Sequence, residues 1–130
     1  MNIDALVPEL WRRYPFLDDE SHRVRLDGIS ESDVDLWASG CGGDRGRVYD
    51  AFARYLAVAF HEQRLPFAFC DAVMNDLEGV IIRADDLRPD LFWQVFSAFD
   101  AGEFHRRKDK SDDPVAEHTE PAIAEIVRSL

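Results

Sequence analysis

The sequence predicts an all-α fold of five to six helices in a single domain covering residues 1–130. Apolar residues recur at the three- and four-residue spacing of an amphipathic helix in almost every segment. Capping residues, glycines and prolines separate these segments as they do at helix boundaries. No internal repeat or low-complexity run divides the 130 residues, which is the usual length of one domain.

The first predicted helix has one apolar stripe, made of Ile3, Leu6, Val7, Leu10, Trp11 and Tyr14. We expect Asp4 to cap this helix. We expect Pro15 to end it, because the residue before a proline avoids the α conformation. Residues 15–29 have no helical period, and the segment HRVRL within them leaves room for one very short extended piece.

A capping box predicts the start of the second helix. Ser30 and Asp33 have the spacing in which each side chain bonds the other residue's backbone N–H, and Ile29 and Val34 flank them as a hydrophobic staple. We expect this helix to stop at Gly40.

The widest apolar face lies between about Asp44 and His61, so we expect this helix to be central. Pro66 begins the next helix. Gly79 interrupts its pattern before the apolar residues 80–82, which form either a last helical turn or a short buried strand.

Two further helices complete the chain. Asp90 is the predicted cap of one, which ends near Gly102, and Thr119 is the predicted cap of the last, with Pro121 in its first turn. The predicted core residues are Phe52, Leu56, Phe92, Val95, Phe96, Ile123 and Ile126.

Charge narrows the range of functions. The formal net charge is −11, which repels nucleic acid phosphates and anionic membrane surfaces and attracts a basic protein. The longest apolar run is too short to cross a bilayer, and the first residues do not have the pattern of a secretory signal. Two distant cysteines offer no disulfide framework, so we expect a cytoplasmic location.

The glycine-rich segment at residues 40–46 resembles a phosphate-binding loop only superficially. Such a loop follows a strand, whereas a helix precedes this one, so we interpret it as a glycine cap and a turn. Cys41 lies in this segment and its reactivity is left open. Cys70 falls on an apolar helix face and is expected to be a core residue.

The histidines and cysteines do not have the short spacings of zinc ligands, so we predict no metal site and no cofactor. A site for a divalent metal built from Asp100, Glu103 and His118 is the alternative that these residue types allow. A small enzyme, including a metal-dependent hydrolase, would then use Asp100 and Glu103 with His105 or His118.

The segment DAGEFHRRKDKSDDPVAEHTEP, at residues 100–121, concentrates ionisable groups between two helices. We predict a charged loop there, pinned at both ends, with Asp112 and Asp113 as exposed rim carboxylates and Asp113 also capping the turn that Pro114 begins. A solvated linker is the simpler interpretation. The candidate binding residues are Asp100, Glu103, Phe104, His105, Asp112, Asp113, Glu117 and His118.

Taken together, these features favour a small acidic protein-binding module that recognises a basic partner. An immunity-type protein, which covers the active site of a cationic toxin in bacteria, has this profile. The alternatives are the small enzyme and a non-catalytic subunit of a larger assembly.

Overall fold

The computed structural model describes residues 1–14 and 28–130, and in these ranges it has six α-helices and no strand. The helices are α1 (Ile3–Trp11), α2 (Glu31–Ser39), α3 (Arg45–His61), α4 (Phe67–Ala84), α5 (Asp90–Asp100) and α6 (Glu120–Arg128). A π-helical run, Val115–Thr119, leads directly into α6. The predicted all-α class is therefore confirmed, while the predicted stop at Pro15 and the extended segment HRVRL lie outside the described residues.

Helix α3 is the central element, as predicted. It contacts α1, α2, α4, α5 and α6. Only three of its 17 residues are exposed, namely Arg47, Arg54 and His61. Phe52 and Leu56 are fully buried on its inner side. The other helices are arranged around this one.

Five of the seven predicted core residues are completely buried: Phe52, Leu56, Phe92, Val95 and Ile123. Phe96 and Ile126 are only partly buried and pack against the core from its edge. For Phe96 the reason is its position on α5, where its ring stacks against both Phe92 and the half-exposed Trp93.

The capping box of α2 is present. Ser30 Oγ accepts a hydrogen bond from the Asp33 N–H at 3.2 Å, and Asp33 Oδ2 accepts one from the Ser30 N–H at 2.9 Å. Ile29 and Val34 are both buried beside it. Asp33 also receives two bonds from the guanidinium of Arg13, so the same carboxylate connects the end of α1 to α2.

The predicted cap of α1 is wrong by two residues. Asn2 is the cap, and its side-chain oxygen accepts a bond from the Ala5 N–H at 3.4 Å. Asp4 lies inside the first turn instead, where its negative charge faces the positive end of the helix dipole.

The predicted cap of α5 is also wrong. Pro89 occupies the capping position and Asp90 is the first helical residue. The carboxylate of Asp50, on α3, lies near the Phe92 N–H in the first turn, so the polar neighbour of this helix start comes from a different helix and not from a local cap.

Helix α4 continues through Gly79 to Ala84, so residues 80–82 form a last helical turn and not a strand. A Cβ placed at Gly79 would meet only the tip of the Arg83 side chain, so this glycine is not required by close packing. The helix ends at Asp85, whose φ of 55° puts it in the left-handed conformation.

The glycine-rich segment is the predicted cap and turn. Gly40 ends α2, and Gly42 and Gly43 have φ values of 68° and 80°, which favour glycine. Asp44 then caps α3 by accepting a bond from the Gly46 N–H at 2.9 Å. An acceptor carboxylate at this helix start is unsuited to cradling a phosphate.

One guanidinium joins three elements near this turn. Arg45 donates to Glu31 and Asp35 of α2 at 3.1 and 3.0 Å, and to Asp86 between α4 and α5 at 2.9 Å. The hydroxyl of Tyr49 donates to the same Asp86 oxygen at 2.6 Å. Burial and the adjacent Asp86 carboxylate raise the pKa of Tyr49 to about 12, so the phenol stays protonated and keeps donating.

Candidate functional site

The outer side of α5 carries a pair of stacked aromatic rings. The centroids of Trp93 and Phe96 are 5.6 Å apart, with ring planes inclined by 24°. Trp93 is 48% exposed, and Trp11 on α1 is the other half-exposed tryptophan, at 41%. A large ring that is half exposed and held by a neighbour is the kind of group that anchors a protein partner.

A guanidinium that is held in an ion pair also lies against this tryptophan. The guanidinium of Arg88 lies 4.8 Å from the Trp93 ring centroid, a cation–π distance. Arg88 also donates from Nε to Glu78 of α4 at 2.9 Å, and from Nη2 to the second oxygen of the same carboxylate. Glu78 is buried, so this bidentate pair locks Arg88 over Trp93.

Two carboxylates follow, one at the end of α5 and one in the loop just beyond it. Asp100 is the last residue of α5, seven positions after Trp93, and Glu103 lies three residues further on. Glu103 accepts a bond from the side-chain amide of Asn75 at 2.8 Å. Partial burial, and then the nearby Glu103, raise the pKa of Asp100. Among the described residues no cation lies within ion-pair distance of either carboxylate.

We call the surface formed by Trp93, Phe96, Asp100 and Glu103 the acidic–aromatic face. Its positions fall at i, i+3, i+7 and i+10, so they continue down one side of α5 and into the following loop. Asn75 and Glu78 of α4 border it one helical turn apart. The face therefore combines an anchored aromatic surface with two negative charges that no described cation pairs with.

The loop after α5 is organised by Asp112. Its side chain is only 2% exposed, and it accepts bonds from the Arg106 N–H at 2.8 Å and the Arg107 N–H at 3.5 Å. His105 Nδ1 lies 3.1 Å from Asp112 Oδ1, the same oxygen that accepts from the Arg107 N–H. These bonds, the Arg106 N–H first, lower the pKa of Asp112 to about 2, so the carboxylate is ionised at neutral pH. The expectation that Asp112 is an exposed rim carboxylate is therefore wrong.

The far end of the loop is held as predicted. Asp113 accepts a bond from the Ala116 N–H at 3.1 Å, which caps the turn that Pro114 begins. Thr119 occupies the N-cap position of α6, as predicted, but its side chain makes no capping bond. It lies in helical conformation at the end of the π-helical run, and its buried hydroxyl donates to the carbonyl of Ala98 at 2.7 Å. The loop is thereby fixed to α5 at both ends.

A cleft of about 660 Å³ opens between this loop and α4. Its walls include His105, Lys110 and Asp113 on the loop side. Glu103 also borders it, so the cleft adjoins the acidic–aromatic face. Gly102 and Phe67 lie at its base, where a Cβ on Gly102 would come within 2.9 Å of the Phe67 ring.

The eight predicted binding residues fall into separate groups. Asp100 and Glu103 belong to the acidic–aromatic face, while His105, Asp112 and Asp113 belong to the cleft. Phe104 is 53% exposed under the Arg106 guanidinium, 4.4 Å from its ring centroid. Glu117 is exposed on the π-helical run, and His118 is partly buried there.

Sequence reasoning missed Trp93 and Arg88 and assigned Phe96 to the core. The inward stripe of α5 consists of Phe92, Val95 and Phe99, and Trp93 lies outside that stripe. A tryptophan off the apolar stripe of a short helix was therefore the available signal. The contact with Arg88 was not predictable, because the buried Glu78 that orients this side chain lies on another helix.

No three His, Cys, Asp or Glu side chains of the described ranges lie close enough together to hold a metal ion. In the same ranges, His118 has no hydrogen bond or ion pair to Asp100 or Glu103. None of the described helices combines the length and the apolar character that crossing a membrane requires. No protein-family model matches the chain, and comparison with curated proteins and with solved structures found no match either.

Proposed function

We propose that this chain is a small protein-binding module that covers a basic protein partner with its acidic–aromatic face. The observation that carries this proposal is the succession along the chain of a half-exposed, stacked tryptophan and two carboxylates that have no cationic partner within residues 1–14 and 28–130. An immunity-type role, in which the partner is a cationic toxin and binding blocks its active site, suits this chemistry. Two free cysteines and the charge of −11 suit a cytoplasmic protein that does not bind nucleic acid.

The position of Asp100 supports binding over a purely structural role. A negative charge on the last residue of a helix faces the negative end of the helix dipole. The nearby Glu103 adds repulsion, as the raised pKa of Asp100 indicates. Because a raised carboxyl pKa means that the ionised form is disfavoured in the folded state, this charge opposes folding at neutral pH and is relieved at acidic pH. A lysine or arginine of a partner would offset both the unfavourable interaction of Asp100 with the helix dipole and its repulsion by Glu103.

The carboxylates and the tryptophan of this face are expected to act on different steps of binding. Carboxylates on a rim attract a basic partner over distances of about 10 Å at 0.1 M salt and so raise the association rate. Trp93 is held by contacts with both Phe96 and Arg88, so it loses little side-chain freedom on binding. We therefore expect the carboxylates to control association and the tryptophan to control the lifetime of the complex.

The test begins with capture of a partner from native lysate, followed by binding kinetics with the purified partner at increasing salt. Asp100→Asn/Glu103→Gln should slow association and weaken its salt dependence. Asp4→Asn/Glu9→Gln, on α1, makes the same change of charge away from the acidic–aromatic face and should have a smaller effect. Trp93→Ala should raise the dissociation rate roughly 30-fold, a hot-spot loss of about 2 kcal/mol, whereas Leu36→Ala, which removes another exposed side chain, should not.

Two results would contradict the proposal. One is a captured partner with an acidic binding surface. The other is an association rate that does not respond to salt or to the double neutralisation, since steering by charge requires both responses. In either case the charge of −11 would serve solubility alone.

A further inference from the structure

The cleft beside the loop contains an imidazole that a buried carboxylate holds in place. His105 Nδ1 lies 3.1 Å from Asp112 Oδ1, and Asp112 is itself fixed by the N–H groups of Arg106 and Arg107. An ionised carboxylate only accepts hydrogen bonds, so Nδ1 must carry the proton in this contact. The lone pair of a neutral His105 therefore resides on Nε2.

His105 is also accessible. The side chain is 41% exposed and borders the cleft of about 660 Å³. A carboxylate that accepts the Nδ1 proton fixes the tautomer, leaves the lone pair on the opposite nitrogen, and stabilises positive charge that develops on the ring. This arrangement prepares Nε2 to act as a nucleophile toward a reagent that enters the cleft.

The loop around His105 is locally basic although the chain is strongly acidic. Residues 105–112 contain four cationic side chains, Arg106, Arg107, Lys108 and Lys110, against two carboxylates. In the part of the chain that the structure describes, none of the four forms an ion pair. The only two lysines of the sequence are both here, and Lys110 borders the cleft with His105.

We propose that His105 is a phosphoryl-acceptor site, modified at Nε2 by a small activated phosphoryl donor such as an acyl phosphate or a phosphoramidate. The Nε2 lone pair attacks phosphorus and forms the N–P bond. The bond from phosphorus to the leaving group breaks, and the leaving group departs with that electron pair. The ring keeps its Nδ1 proton and becomes positively charged opposite the Asp112 carboxylate. The loop cations compensate the charge of the transferred phosphoryl group.

The experiment treats the intact protein with phosphoramidate and maps the modified histidines by mass spectrometry at alkaline pH, where N–P bonds survive. His61 is an exposed histidine at the end of α3 and serves as the internal reference. His105 should react faster than His61, and phosphorus NMR should place the group on Nε2. Asp112→Asn, which can still accept the Arg106 N–H, should slow the reaction at His105 about ten-fold and leave His61 unchanged.

A neutral acylating reagent, diethyl pyrocarbonate, separates nucleophilicity from recognition of the phosphoryl group. Lys108→Gln/Lys110→Gln should lower the rate at which phosphoramidate modifies His105, because phosphoramidate is anionic. The rate of acylation of His105 by the neutral diethyl pyrocarbonate should stay unchanged. The proposal is overturned if His105 reacts no faster than His61 in the unmodified sequence, or if the phosphoryl group is found on Nδ1. Equal slowing of both reagents in the lysine variant would also overturn it, since the cations would then act on loop structure and not on the donor.

Discussion

Replacing Gly102 with alanine should destabilise the protein more than its loop position suggests. Gly102 has no positive φ, so its backbone conformation suits any residue. The atoms around it, however, leave no space for a side chain. A Cβ there would lie 2.3 Å from Thr119 Oγ1 and 2.9 Å from Phe67 Cε2. Overpacking of this kind costs about 1–3 kcal/mol.

The clash also threatens a hydrogen bond. The Gly102 N–H bonds to the carbonyl of Phe99, so the Ala98 carbonyl near the end of α5 is left to the Thr119 hydroxyl. Displacing that hydroxyl would cost about 1 kcal/mol more, and the free energy of unfolding should fall by about 2–4 kcal/mol in total. Urea unfolding followed by far-ultraviolet circular dichroism measures this loss.

A double-mutant cycle tests whether the clash with Thr119 causes the loss of stability in Gly102→Ala. Thr119→Ala alone should cost about 1–2 kcal/mol, and Gly102→Ala/Thr119→Ala should cost less than the sum of the two single changes, by about 1 kcal/mol. Gly79→Ala is the matched control, because its new Cβ meets only the tip of Arg83, and it should stabilise α4 by about 0.5–1 kcal/mol. A loss under about 0.5 kcal/mol for Gly102→Ala, or strict additivity in the cycle, would refute the packing described here.

Three further outcomes are expected. Phe92→Ala should cost about 3–5 kcal/mol in urea unfolding and Phe96→Ala clearly less, since only the first ring is fully buried; equal losses would contradict the placement of Phe96 at the edge. The Asp112 pKa of about 2 lies below its ordinary value, so the contribution of this carboxylate to loop order is complete at neutral pH and is lost as pH falls from about 4 through its folded pKa. The NMR signal of the Arg106 N–H should report that loss, and an unchanged signal would argue against the bond. Burial raises the pKa of the Cys70 thiol, so a maleimide should label Cys41 in the folded protein and Cys70 only after unfolding; early labelling of Cys70 would contradict its burial.

The sequence predicted features that depend on neighbours in the chain. The capping box at Ser30 and the turn cap at Asp113 are such features, because donor and acceptor lie three residues apart and need no other helix. The predictions that were wrong concern groups whose partners are distant in sequence. Asp50 on α3 lies near the first turn of α5, and Thr119 bonds to Ala98 across 21 residues, so neither could be inferred before the helices were assembled.

The candidate site was predicted in part for the same reason. Asp100 and Glu103 were recognised because their spacing puts them on one helix face. Asp112 was misjudged because an aspartate in a highly charged segment normally faces water, whereas here the loop backbone turns its N–H groups toward it. Trp93 acquires its role from Arg88 and therefore from the ion pair with α4.

The enclosure of α3 has a consequence for how the protein can change over evolutionary time. With three exposed positions among its 17 residues, this helix tolerates few substitutions without disturbing five neighbours. On α5, by contrast, Asp90, Trp93, Gln94 and Asp100 are exposed, while the inner stripe of the helix packs into the core. Recognition can therefore diverge at this outer surface while the scaffold stays constant, and relatives of the chain with different partners should differ first at these positions.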